Sequence, residues 1–232
     1  MSIYTTTVVQ SKEFNLMNRA GIFWKHFIPP IIGVLWEDFW WSICEIWSGM
    51  WHKLQIMRKS FPEATISGIE PSDAMRGKSD IPLLNGSLQK TWLPDTSQDV
   101  VCLFQMWHHI NPNEYQKCIS EIKRILKPGW KIFLLDTFAP ETEEGVLKEL
   151  IFSIANRFYA VLSQYPEKSL IYRTWHAMKS VVMSEQYSPQ ELWYFSPQLA
   201  HTRMCFEGHN LQYNPEHTHK YGISQLHVFS ND

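Results

Sequence analysis

A chain of 232 residues with 44% hydrophobic content is long enough for one ordinary domain with its own core, and a net charge of −2 excludes the basic field that nucleic-acid binding requires. The most apolar early run, residues 27–41, is interrupted by Pro29, Pro30, Glu37 and Asp38, which excludes a bilayer span there. An aromatic fraction of 14%, with 11 Trp, exceeds what a core of this size uses and points to interface aromatics or to a flat-walled pocket for an apolar or aromatic ligand.

Residues 1–14 are rich in Ser, Thr and Val, carry neither a basic nor an apolar leader pattern, and read as a loose arm. Residues 15–28 are expected to form a helix stopped by Pro29 and Pro30, and residues 31–42 a second helix leading into a strand at 43–47. A crossover helix is expected at 50–60, with Leu54, Met57 and Arg58 spaced to set an apolar face on a sheet. A strand at 64–69 ends at Glu70, and Ser72 is placed to cap a further helix. A short third strand falls within 81–88 and a turn at 94–98. The apolar run after Asp99 has the character of a buried parallel strand. Residues 113–126 form an amphipathic helix with Tyr115, Ile119, Ile122 and Leu126 on one face, ended by Lys127, Pro128 and Gly129 before a fifth strand at 131–136. Residues 141–203 read as a helical, aromatic-rich insertion, in which Tyr172, His176 and Tyr187 are candidates to line an acceptor site. A last strand is expected at 223–229, with residues 204–213 as its neighbour.

Cys44 and Cys102 lie inside apolar strand runs, and none of the four cysteines forms a CxxC pair, so buried free thiols and a reducing, cytoplasmic setting are expected. The pair His217 and His219 lacks a companion motif, and no metal is expected.

Strand, tight turn, helix, strand and terminal acid over residues 44–75 make half of a nucleotide-binding α/β domain. This stretch resembles the opening unit of the class I (Rossmann-like) S-adenosylmethionine-dependent methyltransferases. That family writes its turn as an acidic residue followed by Gly-x-Gly-x-Gly. Here the acid is Glu45, and the glycine places fall on Trp47, Gly49 and Trp51. The resemblance runs from 44 to 136 and resumes at the last strand. It implies a doubly wound, seven-stranded α/β sheet in a single domain: arm and N-terminal helices at 1–42, nucleotide-binding core at 43–140, cap or acceptor insertion at 141–203, and C-terminal strands at 204–232. It also implies methyl transfer from S-adenosylmethionine to a small apolar or aromatic acceptor, with no nucleic-acid partner. Glu45, Trp47, Gly49, Glu70, Ser87, Leu88 and Phe104 would hold the cofactor, Glu70 by accepting hydrogen bonds from ribose hydroxyls. His109, of the pair His108 and His109, would be the catalytic base.

Glycines serve such a turn because backbone must approach the ligand closely, at angles costly to other residues. Two indoles in their places leave several arrangements open. The cofactor is held in a shifted pose against a tryptophan. Or the pocket is filled, leaving a pseudo-enzyme or binding protein on a methyltransferase fold. Or it is rebuilt as a Trp-lined pocket for a cofactor-independent reaction.

Overall fold

The computed structural model describes residues 21–35, 41–48, 52–77, 79, 81, 83–138, 169–172, 174–175, 178, 197–221 and 224–232. In chain order these give α1 (Gly21–Leu35), β1 (Ser42–Ile46), α2 (His52–Ser60), β2 (Thr65–Ile69), α3 (Asp73–Arg76), β3 (Leu83–Leu84) and β4 (Gln98–Phe104). Two single 3-10 turns follow, Trp107–His109 and Pro112–Glu114. Then come α4 (Tyr115–Ile125), β5 (Leu126–Thr137), α5 (Leu199–Glu207), β6 (Gln212–Tyr221) and β7 (Ser224–Ser230).

The strands form one seven-stranded sheet in the order β3-β2-β1-β4-β5-β7-β6. The first five pair in parallel, and β7 inserts antiparallel between β5 and β6. The chain turns outward in both directions from β1 and β4, so the carboxyl ends of these two strands flank the topological switch point, where open α/β sheets bind ligands. Every residue of β4 is buried, as its unbroken apolar run requires of a strand covered on both faces.

Two cores cover the sheet. On one face Tyr115, Cys118, Ile119 and Ile122 of α4 and Phe206 of α5 pack against Val101, Leu103, Ile132, Leu134 and Phe229. On the other, Phe27, Ile28, Ile31 and Leu35 of α1 and Met57 of α2 pack against Ile43, Val100, Cys102, Phe133 and Val228. Cys44, Cys102, Cys118 and Cys205 are all buried free thiols. Among the described residues no helix is long and apolar enough to cross a membrane.

Several elements differ from their sequence reading, each for a local reason. The first helix does not stop at Pro29 and Pro30 but runs through both to Leu35. Two interior prolines cost about 3 kcal/mol each in an isolated helix; here burial of the stripe Phe27, Ile28, Ile31 and Leu35 offsets that cost. Residues 36–40 lie outside the described residues. Ser72 occupies the cap position of α3, but its hydroxyl makes no cap bond; its N–H donates to Glu70 Oε1 at 2.8 Å. The third strand is only two residues long, because Gly86 and the Ser87–Lys90 bridge turn the chain away. Helix α4 ends at Ile125, one residue before the expected end, and Leu126 opens β5, within which Lys127, Pro128 and Gly129 also lie. They form a bulge where the register with β4 shifts, and Gly129 takes φ 79°. Residues 204–207 complete α5 instead of starting a strand, since Thr202, Cys205 and Phe206 recur at helical spacing and are buried. The neighbour of β7 is therefore β6, an edge strand that accommodates Pro215 where its register breaks. The expected insertion at 141–203 falls largely outside the described residues.

Gly68 in β2 shows how closely the first crossover packs. A Cβ there would lie 2.4 Å from Ser48 Oγ, 2.5 Å from Leu83 Cδ2 and 2.7 Å from Leu54 Cδ1. Gly68→Ala is expected to destabilise the fold by about 1–3 kcal/mol, read as a lower denaturation midpoint at an unchanged denaturant slope.

Candidate functional site

The carboxyl ends of β1, β2, β4 and β5 gather the chemistry-bearing side chains. Glu45, next to last in β1, is fully buried, and its Oε1 forms an ion pair with Lys53 Nζ at 2.6 Å. Lys53 comes from the first turn of α2, and its ammonium also donates to the main-chain carbonyl of Phe104, the last residue of β4, at 3.0 Å. Burial pushes the Glu45 carboxyl up to about 7, against the opposing pull of Lys53 and with a further upward push from Glu70. Glu45 Oε2 is buried without a hydrogen-bond partner among the described residues. Glu70, just beyond β2, is buried as well; it accepts the Ser72 N–H through its side chain, while its main-chain carbonyl accepts from Arg76 at 2.5 Å.

Trp47 stands at the first glycine place, half-buried, with φ 59°, the left-handed region that favours glycine. Its ring packs on the core beneath and meets His109 edge-on at 5.8 Å. Gln105, directly after β4, takes φ 52°. Both central strands thus end in a left-handed, non-glycine residue at the switch point, the kind of place where backbone strain serves a site. The strain at Trp47 makes a test possible. A left-handed backbone costs a Cβ-bearing residue about 1–2 kcal/mol, so Trp47→Gly should be more stable than Trp47→Ala by about 1 kcal/mol in thermal or denaturant unfolding, the reverse of the usual order.

The two histidines after β4 have separate surroundings. His108 Nδ1 lies 2.6 Å from Asp136 Oδ1, and the His108 N–H donates to Asp136 Oδ2 at 3.2 Å. Asp136 is buried near the end of β5 and also accepts the Thr137 N–H at 2.7 Å. The carboxylate therefore holds the proton on Nδ1 and leaves Nε2 as the basic nitrogen of the neutral ring. His109, stacked obliquely on His108 at 4.1 Å, is lowered to about 3, chiefly by burial and then by the neighbouring His108.

Of the sequence-derived candidates, Glu45, Trp47, Glu70, Phe104 and His109 fall on this edge. Gly49 and Trp51 lie outside the described residues. Ser87 and Leu88 sit in the turn after β3; Ser87 exchanges main-chain bonds with Lys90, and the Leu88 side chain is wholly in the core. Trp107 stacks on Tyr115 at 4.5 Å inside the core and donates to Thr202 Oγ1, while Trp92 is exposed beneath the Lys90 ammonium. Lys53 and Asp136 escaped the sequence reading. A lysine in the first turn of a crossover helix reads as a solvated charge, and only the fold reveals its reach. The terminal acid of a buried strand was a usable signal for Asp136.

Residues 49–134 match a family model described as a methyltransferase domain. No curated protein matches the chain by sequence. Among solved structures, a protein of Pyrococcus horikoshii OT3 is similar at 15% identity, with 90% of this chain and 89% of that one covered and a TM-score of 0.58. A SAM-dependent methyltransferase from Aquifex aeolicus is similar at 13% identity, 86% and 88% coverage and TM-score 0.54. Human N-acetylserotonin methyltransferase, solved in complex with SAM, is similar at 13% identity and TM-score 0.58, covering 97% of this chain and 58% of its own. With its strand order, its switch-point edge and these likenesses, the chain has the class I methyltransferase fold, and its residues 49–134 match a methyltransferase-domain model.

Proposed function

We propose that this chain is an S-adenosylmethionine-dependent methyltransferase acting on a small apolar or aromatic acceptor through a remodelled cofactor pocket, with His108 as the base. The observation that carries the reading is the His108–Asp136 pair at the carboxyl edge of the sheet, beside the switch point.

The residues present fit the cofactor. Glu70 offers a buried carboxylate for ribose hydroxyls, and Glu45 has a buried oxygen without a donor among the described residues. Bound there, S-adenosylmethionine supplies an electrophilic methyl group. The protein's part is to hold the acceptor, exclude water and remove a proton. An acceptor hydroxyl would give its proton to His108 Nε2, and the buried Asp136 carboxylate would stabilise the imidazolium that forms. Trp47, edge-on to His109, gives the crevice an aromatic wall suited to a flat acceptor. His109, neutral down to about 3, packs that wall.

The test is transfer of a labelled methyl group from S-adenosylmethionine to a panel of phenols and hydroxylated heteroaromatics. Turnover with at least one supports the reading, and its absence across the panel together with no cofactor binding overturns it. A second reading is favoured by Lys53 and Trp47 both filling the switch-point edge: a methyltransferase fold acting without the cofactor, as a binding protein or cofactor-independent enzyme. It expects the cofactor to stay unbound whatever occupies position 53.

A further inference from the structure

Two acceptors converge on one point between the carboxyl ends of β1 and β4. Glu45 Oε1 lies 2.6 Å and the Phe104 carbonyl 3.0 Å from the Lys53 ammonium. A carboxylate and a carbonyl arranged so are the makings of an ammonium subsite, placed at the switch point. Its occupant belongs to the chain itself. Lys53 is 11% exposed at its side chain and hangs on a flexible four-carbon stem, so its head can leave for solvent without moving the helix that carries it.

We propose that Lys53 is a displaceable internal ligand that sets the specificity of the crevice, by competing with the ammonium group of any amino-acid-bearing adenosyl ligand for Glu45 and Phe104. The inference rests on the reading that the crevice takes adenosyl ligands. A tethered competitor acts at high effective concentration without new contacts. Where the seated form makes up 90% or more of the population, the apparent affinity of the competing ligand falls about tenfold or more. A nucleoside thioether without the amino-acid tail has no ammonium to place and escapes this competition. The crevice of the intact protein therefore favours the tail-less nucleoside relative to the amino-acid-bearing one, and loses that bias with the lysine.

Calorimetric titration of the full chain and of Lys53→Met with S-adenosylhomocysteine and with 5′-methylthioadenosine tests this. The expected result is that Lys53→Met binds S-adenosylhomocysteine about tenfold or more tighter than wild type, while 5′-methylthioadenosine changes less than about threefold. Equal tightening of both ligands, or no tightening of S-adenosylhomocysteine while 5′-methylthioadenosine binds both proteins, overturns the competition and leaves the adenosyl reading standing. Failure of both ligands on both proteins overturns the adenosyl reading and this inference with it. Lys53→Gln, which keeps a donor for Glu45, replaces Lys53→Met if the latter does not fold. Lys53→Arg retains the cation and is expected to keep the wild-type order of affinities.

Discussion

His108→Gln is expected to lower kcat for methyl transfer to a hydroxyl acceptor by about 10²–10⁴-fold, with little change in KM for the cofactor. Glutamine keeps a polar group of similar reach but cannot take the proton. His109→Gln separates the two histidines. His109 is half-buried and held neutral down to about 3, so its loss disturbs the packing on Trp47 and should cost less than about tenfold. Asp136→Asn should follow His108→Gln in kcat, because the amide no longer fixes the proton on Nδ1. A larger loss for His109→Gln than for His108→Gln would return the base to His109, where the family resemblance puts it.

The largest stability effect is expected at Glu121, far from the crevice. Its carboxylate accepts the Thr91 N–H and hydroxyl at 2.7 Å each, the Arg124 Nη2 at 2.7 Å and the Arg124 Nε at 2.8 Å. Arg124 also pairs with Asp95, so the network ties the loop before β4 to helix α4. Glu121→Ala leaves the buried Thr91 donors without their acceptor and should cost about 2–4 kcal/mol at neutral pH, measured by denaturant unfolding. The Arg124 hydrogen bonds, with help from Thr91, lower the Glu121 carboxyl from 4.5 to about 2. A depressed carboxyl contributes stability above its unfolded value and loses it as pH falls toward the folded one. Wild type should therefore lose stability between about pH 4.5 and pH 2, and Glu121→Gln should lose less over the same range. Parallel acid curves would show that the network does not couple to protonation.

Much of the fold was legible because its strongest signals are local. The apolar run of β4 and the amphipathic spacing of Tyr115, Ile119 and Ile122 need no tertiary information. The alternation of strand and helix implied parallel pairing with right-handed crossovers, while the doubly wound, seven-stranded sheet was implied by the family resemblance. What misled was chemistry that tertiary packing overrides. Pro29 and Pro30 sit inside a helix because the stripe around them is buried on the sheet. Lys127, Pro128 and Gly129 punctuate α4 and then continue as a bulged strand. At the site, single positions were readable where the strand ends fix them, as with Glu45, Glu70 and Phe104. Relations across the sheet edge were not. Nothing in the spacing of Lys53 and Glu45, or of His108 and Asp136, says that their side chains meet. The His108–Asp136 pair depends on β4 lying beside β5, and the reach of Lys53 to the Phe104 carbonyl on β1 lying beside β4, which are properties of the sheet and not of any one segment.

The crevice is expected to take an adenosyl ligand on Glu70 despite the indole at position 47. Titrating wild-type protein and Glu70→Gln with S-adenosylhomocysteine tests it most directly. Glutamine keeps an acceptor for the Ser72 N–H, so the loop after β2 is preserved while the carboxylate charge is removed. Saturable binding to wild type near the micromolar range, about −8 kcal/mol, weakened about tenfold or more in Glu70→Gln, is the expected result. Equal binding to both proteins, or no binding to wild type under conditions where it is folded, would contradict it.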